Sequence, residues 1–284
     1  MPQNAIIRAD GTGDYTTIIA WEAGEQSSDY GAVTVGRVDG FFAQGGQPLT
    51  LAGTWVNGLR LEAFDSADAF DGTQRNLCGL SSSNGTQAIS FQTTTATTFD
   101  GLEIIYIGGS GTDRCLRDGS NGTYTIDNCL IVTETDARVF LGTFIFNDSV
   151  LVAESATAGT SNNATSTFNS CNFFGQNSSN ILVSGTSTDT VVANTGAGDC
   201  FNGGTQSNCA STDATADTLT SIVIADNFVS STPISSQDYR IKSGSDLDTN
   251  GIGSFVEVSA GISVTESLTT LTLDSLNPTI GLTG

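Results

Sequence analysis

The sequence predicts an all-β solenoid, in which short strands are laid down coil upon coil. Three observations carry that prediction. Period-two apolar runs of three to five residues recur along most of the chain, each bounded by Gly, Asn, Asp or Ser. A degenerate repeat returns every 20 to 27 residues. The composition is polar but weakly charged, with 14% charged residues and 33 Gly against 4 Pro in 284 residues.

The first element is the exception to the strand pattern. Asp10-Gly11-Thr12-Gly13-Asp14-Tyr15 is a turn cluster. Thr at the N-cap and apolar residues at Ile18, Ile19 and Trp21 then predict a short amphipathic helix ending near Ser27, the one convincing helix of the chain. From Gly31 the period becomes two. Ala32-Val33-Thr34-Val35, Leu49-Thr50-Leu51, Leu59-Arg60-Leu61-Glu62, Ala88-Ile89-Ser90-Phe91 and Leu102-Glu103-Ile104-Ile105 read as strands.

The repeat aligns Phe99-Asp100-Gly101-Leu102-Glu103-Ile104 with Ile126-Asp127-Asn128-Cys129-Leu130-Ile131. Phe146-Asn147-Asp148-Ser149-Val150-Leu151 and Phe168-Asn169-Ser170-Cys171-Asn172-Phe173 continue it. The apolar stretches Ile181-Leu182-Val183 and Val191-Val192-Ala193-Asn194 follow, and Ile222-Val223-Ile224-Ala225-Asp226-Asn227-Phe228-Val229 is read as another copy. A coil of this length cannot bury its inner face alone, so stacking must supply the core. An open stack needs caps, and the helix near Ile18 is the natural one at the N-terminal end. Phe255-Val256-Glu257-Val258, Ile262-Ser263-Val264 and Leu268-Thr269-Thr270-Leu271-Thr272-Leu273 alternate well but lack the repeat. They predict a strand-rich C-terminal arm that folds over the last coil or reaches a neighbouring subunit. The organisation is thus a cap over 1–28, coils over 29–253 and an arm over 254–284.

Cys129 and Cys171 occupy one repeat position with Ser149 between them. Two coils separate them by about 9–10 Å, beyond disulfide reach, so both are expected reduced and inward-facing. No CxxC pair is present, and buried free thiols are the expected state of all six cysteines. Cys200 and Cys209 bracket a Gly/Asn-rich loop and are the best placed for a disulfide if one forms.

Charge and composition exclude several functions. No histidine is present, which removes Ser-His-Asp and Cys-His nucleophile systems and His-bearing zinc sites. A net charge of −21 with the single lysine Lys242 argues against nucleic-acid binding. No run reaches the roughly 18 apolar residues of a membrane helix. Met1-Pro2-Gln3-Asn4 has no basic and apolar leader, so any exit from the cell is expected without a secretory signal, for instance by lysis on a virus particle.

The segment Asp10-Gly11-Thr12-Gly13-Asp14-Tyr15-Thr16-Thr17-Ile18, with Ala20-Trp21-Glu22, resembles the entry segment of right-handed parallel β-helix proteins of the pectin-lyase-like superfamily. Ser235-Ser236-Gln237-Asp238-Tyr239-Arg240-Ile241-Lys242-Ser243-Gly244-Ser245 resembles the segment that often closes such helices. The resemblance spans residues 5–253 and is closest to the phage and environmental branches. It implies a right-handed parallel β-helix and leaves activity open, because that superfamily holds lyases, hydrolases, esterases, tailspikes and inert structural proteins. Polygalacturonase-like members use an Asp-Asp pair and a His, both missing here. The two Asp and one Arg of pectin esterases could be imitated by Asp127, Asp136, Arg138 and Asp148, but the local motifs do not match and a turn or ladder role is simpler. A paired-carboxylate glycosidase would draw on Glu134, Asp136, Asp148 and Glu154. Sugar-stacking platforms are scarce, with Trp55 and five Tyr left once Trp21 is placed in the cap.

One local motif points to a metal. Asp246, Asp248 and Asn250 before Gly251, with Glu257 following, match the spacing of a calcium loop, although no helices flank it and a plain turn is the simpler reading. The expectation for function is a non-enzymatic structural virion protein, a capsid decoration, cement or spike subunit of a phage-like particle. Tailspike depolymerases are generally longer and carry an N-terminal attachment domain. Its partners would be its own copies, as a trimer by the resemblance, and a major capsid or other virion protein, with a host glycan if it binds one. The alternative is a carbohydrate-active or glycan-binding protein on the same scaffold.

Overall fold

The structure, a computed structural model, describes residues 4–26, 29–83, 85–109, 113–134, 137–154, 166–176 and 185–258. Its strands form three all-parallel sheets, as a β-helix requires. The first sheet has nine strands: Asn4–Arg8, Thr34–Asp39, Leu59–Ala63, Thr97–Asp100, Tyr124–Asp127, Phe144–Asn147, Thr167–Asn169, Thr186–Thr188 and Thr205–Ser207. The second has eight: Phe41–Ala43, Gly79–Ser82, Glu103–Tyr106, Leu130–Thr133, Val150–Ala153, Asn172–Gly175, Val191–Asn194 and Ala210–Ser211. The third has four: Leu49–Leu51, Gln87–Phe91, Arg114–Asp118 and Arg138–Leu141. From Thr97–Asp100 onward, each coil contributes one strand to the first sheet, turns a tight corner, and contributes the next to the second.

The expected repeat register is the observed one. Ile126 lies opposite Phe99 and Phe146, and Phe146 opposite Phe168. All four are buried, and the Phe146 and Phe168 rings stack with centroids 5.5 Å apart and planes 6° apart. The column begins at Ala5, Gly36 and Leu61 and ends at Ser187 and Gln206. Its polar end hid those two coils from the repeat. The predicted strand at 32–35 forms later, as Thr34–Asp39, because Ala32 and Val33 lead into the coil.

The cap helix is Ile18–Glu25, with Thr17 as N-cap accepting from the Ala20 N–H at 3.0 Å. It buries Ile18 and Trp21 on the first coils, and Trp21 packs against Trp55 with centroids 5.4 Å apart. Gly36 makes this contact possible: a Cβ there would lie 2.7 Å from Trp21 Cε2. Glu22 fixes the helix to the next coil by accepting from the Ala52 N–H at 3.0 Å.

The corner between the first two sheets repeats in the six coils that begin at Thr97–Asp100. Gly101, Asn128, Asp148, Ser170, Asp189 and Asn208 all take left-handed φ, between 46° and 72°. Asn and Asp tolerate that region better than other residues with a side chain. The next residue points inward, giving the column Cys78, Leu102, Cys129, Ser149, Cys171, Thr190 and Cys209. Its short donors satisfy corner carbonyls. Ser149 Oγ donates to Asn147 O at 2.8 Å, Thr190 Oγ1 to Thr188 O at 2.9 Å and Cys129 Sγ to Asp127 O at 3.1 Å. The four cysteines sit on alternate rungs, so successive thiols are about 10 Å apart and cannot pair. All six cysteines are free and buried, including Cys200 and Cys209. Burial raises every thiol, Cys78 and Cys171 to about 12.

The coils end earlier than the sequence suggests. After Ala210–Ser211 the chain makes a bridge to Leu219 and then lies along the outer face of the second sheet. That face is apolar: Ile105, Leu130, Val132, Val150, Val152, Phe174, Val191 and Ala193 point outward and need cover. Phe228, Tyr239, Ile241, Leu247 and Ile252 supply it. Residues 222–229 are therefore not a further repeat. They contain the short helix Ile224–Asn227, with Phe228 packed on Phe174 at a centroid distance of 5.0 Å. Two more short helices follow, Pro233–Ser236 and Asp246–Asn250, where the sequence predicted none. The segment expected to close the end of the helix runs along its flank instead. Tyr239 N–H donates to Gly72 O, and Asn172 Nδ2 donates to Tyr239 O at 3.2 Å and Ser254 O at 2.9 Å. Of the predicted arm, Val256 makes a parallel bridge to Ile241. The strands expected at 262–264 and 268–273 lie outside the described residues.

Two outcomes follow for stability. Phe146→Ala removes one member of the ring stack and should cost about 3–5 kcal/mol, read as a lowered denaturation midpoint. Iodoacetamide should label no cysteine in the native protein and all six in denaturant, counted by mass. Labelling of Cys129 or Cys171 under native conditions would contradict the corner column.

Candidate functional site

The outer face of the first sheet carries a column of polar side chains in register: Arg37, Glu62, Asp100, Asp127, Asn147 and Asn169. Parallel stacking places each directly above the last, so unlike partners must alternate or be bridged. Arg60 Nε meets Glu62 at 2.6 Å while its other nitrogen reaches Asp100, and Arg37 Nε lies 3.3 Å from Glu62. Asn128 Nδ2 donates to Asp100 at 3.0 Å. Asn147 Nδ2 donates to Asp127 at 2.7 Å, and Asn169 Nδ2 to Asn147 Oδ1 at 2.7 Å. Burial raises the Asp127 carboxyl, opposed by the Asn147 bond. These groups are engaged with neighbouring rungs, which is the ladder role expected of Asp127 and Asn147.

Of the set Asp127, Asp136, Arg138 and Asp148, the three described residues are not assembled into one site. Asp127 ends a strand of the first sheet, Asp148 sits at the left-handed corner beyond it, and Arg138 begins a strand of the third sheet. Asp136 lies outside the described residues. Of the four glycosidase candidates, two are brought together. Glu134 and Glu154 follow the paired strands Leu130–Thr133 and Val150–Ala153 and stand on adjacent rungs. Glu134 N–H donates to Tyr106 O at 3.0 Å and Glu154 N–H to Thr133 O at 2.9 Å, so the ladder continues through both. Burial raises the Glu154 carboxyl, and the neighbouring Glu134 adds to that. Asp148 is at the opposite end of the same strand, and its carboxyl is raised by burial and then by Asp127. No tryptophan serves as a sugar platform, because Trp21 of the cap and Trp55 packed against it are both buried.

The calcium-loop residues take a different form. Asp246, Asp248 and Asn250 lie in the helical turn Asp246–Asn250, capped by Ser245 and closed by Gly251 at φ 65°. At 3.6 residues per turn, alternate side chains diverge rather than converge on a centre. Asp248 Oδ2 accepts from Gly244 N–H at 2.7 Å and Asn250 Nδ2 donates to Asp246 O at 2.7 Å. Glu257 follows the Val256 bridge, its N–H bound to Ile241 O at 2.7 Å. Among the described residues, no group of three or more His, Cys, Asp or Glu side chains is placed to hold a metal ion.

The third sheet gathers residues that the repeat did not reveal. Arg114 lies opposite Arg138 and Gln87 in register, and Arg117 lies three positions further along the same strand, after Cys115 and Leu116. Three of the nine basic residues thus lie in two adjacent strands of a strongly acidic chain. The signal was present in the sequence, since Arg114 and Arg138 are one coil apart, but the repeat was framed on the first sheet. Comparison of the chain with protein-family models, with curated proteins and with solved structures finds no match.

The Glu134–Glu154 pair gives a pH-dependent outcome. A carboxyl raised on folding binds more protons in the folded state, so it lowers stability as pH rises from its ordinary value of 4.5 through the folded value. Glu154→Gln removes that loss. Its melting temperature should exceed that of the wild type at pH 7 and converge with it near pH 4, measured by thermal denaturation at both pH values.

Proposed function

We propose that the chain is a non-enzymatic structural subunit of a phage-like particle: a β-helical capsid decoration, cement or spike protein acting as a homo-oligomer, a trimer first among the arrangements. The observation that carries the reading is the engagement of the polar ladder. Asp100, Asp127, Asn147 and Asn169, the groups most suited to chemistry on the first sheet, hold neighbouring rungs together. A stack so cross-tied, with its second sheet covered on both faces, suits a mechanical role. The net charge of −21 would keep particles apart in solution. The particle setting itself, with display on the outer surface and contact with a capsid protein, rests on the resemblance of residues 10–22 and 235–245 to right-handed parallel β-helix proteins and on the sequence matching none of that superfamily's catalytic sets.

A second reading, a glycan-cleaving protein on the same scaffold, is favoured by one observation, the adjacent Glu134 and Glu154 with the latter raised. Retaining glycosidases place two carboxyls about 5–5.5 Å apart, one of them kept protonated. Two measurements on the full chain separate the readings. Light scattering should give three chain masses, and incubation with host capsular or outer polysaccharide should release no new reducing ends. A monomer would overturn the oligomer. Reducing ends that disappear in Glu154→Gln would replace the structural reading with the enzymatic one.

A further inference from the structure

We propose that Asp217 is a stop residue: its carboxylate stands in for the coil that would follow, and so keeps a second copy of the chain from pairing with the last strand of the first sheet. The stop acts whether or not the chain belongs to a particle. Along the stack, the N–H of each left-handed corner residue donates to a main-chain carbonyl of the next coil. Asn128 meets Asn147 O at 3.1 Å, Ser170 meets Thr188 O at 2.9 Å and Asp189 meets Ser207 O at 3.0 Å. The N–H one residue further on meets a hydroxyl of the next coil, Cys129 at Ser149 Oγ at 3.1 Å and Cys171 at Thr190 Oγ1 at 3.4 Å. The last strand of the sheet, Thr205–Ser207, leads into the corner at Asn208 and Cys209. There Asp217 Oδ2 accepts from the Asn208 N–H at 3.1 Å and Oδ1 from the Cys209 N–H at 2.7 Å. One carboxylate takes the place of both the carbonyl and the hydroxyl, through bonds strengthened by its charge.

Gln206 holds the stop in place: its side chain accepts from the Asp217 N–H at 3.2 Å and donates to Thr215 O at 3.1 Å. The other edges are closed differently. The second sheet ends on main chain, with the Ser211 N–H on Leu219 O and the Ile222 N–H on Ser211 O, both at 2.9 Å. At the N-terminal edge of the first sheet, the Ile6 N–H donates to Asp14 Oδ2 at 2.8 Å and Ile6 O accepts from the Asp14 N–H at 2.8 Å. Gln206 is what stays open. The register turns the backbone groups of Thr205 and Ser207 toward the neighbouring strand and those of Gln206 away from it. An edge of that kind is a template for another chain. Because its N-terminal edge is closed, a second copy can offer only the same C-terminal edge, so the pairing would be antiparallel about a twofold axis. Asp217 sits where the incoming backbone would run, and its charge is met by the same charge on the other copy. No Lys or Arg occurs between Arg138 and Arg240 to offset the repulsion.

Light scattering of the full chain over a concentration series tests the stop, in about 1 M sodium chloride, where the Debye length falls to about 3 Å. The wild type should keep one mass throughout. Asp217→Ala should rise to twice the wild-type mass as concentration increases. Adding Gln206→Pro to it removes the free N–H without breaking a ladder bond, and should restore the wild-type mass. A constant mass for Asp217→Ala, a doubling that survives Gln206→Pro, or a wild type that itself doubles overturns the proposal. Amide hydrogen exchange on the wild type reads the same contact if Asp217→Ala does not fold. The Asn208 and Cys209 N–H groups should exchange about tenfold more slowly than that of Gln206, as expected of charge-assisted bonds, and equal rates overturn the stop.

Discussion

Each strand of this protein bonds through its backbone to the same strand of the next coil, at a spacing of about 4.8 Å. That constraint makes every inward position a column and every outward position a ladder. In an apolar column such as Phe99, Ile126, Phe146 and Phe168, side chain then packs on side chain, and the Phe146 and Phe168 rings stack. A charged column must be bridged, which is what Arg60 does between Glu62 and Asp100 and Asn147 does beside Asp127. The same spacing acts on the thiols. Because Leu102, Ser149 and Thr190 separate Cys78, Cys129, Cys171 and Cys209, no two thiols of that column stand on adjacent rungs.

The two large sheets solve different burial problems. Strands of the first sheet alternate, buried then half-exposed, as in Tyr124–Asp127 and Phe144–Asn147. Central strands of the second are buried throughout, as in Leu130–Thr133 and Val150–Ala153, because the chain after residue 222 covers their outer face. The contrast is visible in the residues themselves: Tyr-Thr-Ile-Asp against Leu-Ile-Val-Thr. This covering segment, a clamp on the second sheet, is tied to it through Asn172, whose amide meets both Tyr239 O and Ser254 O. Glu103, fully buried beneath the clamp, is met by the backbone N–H groups of Arg75 and Asn76. Burial raises its carboxyl all the same.

Much of the candidate site was not legible from residue types. Asp246, Asp248, Asn250 and Glu257 have the spacing of a metal loop, yet Ser245 caps the first three into a helical turn, a choice set by local hydrogen bonds. Glu134 and Glu154 were legible as neighbours, since one coil separates them. Arg114 and Arg138 are one coil apart as well, but the repeat was framed on the first sheet and the third has four strands among the described residues, so their pairing went unread.

The sequence was sufficient for the coil, the register of its central repeats, the cap helix and the separation of Cys129 from Cys171. Those follow from periodicity, which is local and survives without knowledge of contacts. Tertiary structure alone decided where the coils stop and what the apolar residues after Ser221 cover. An apolar run such as Ile222 to Phe228 can pay for burial on either face of a sheet, and only the exposed flank of the second sheet settles which. The grouping of arginines on the third sheet was likewise set by stacking, because charge carries no period of its own and is brought together only by the coil beneath it.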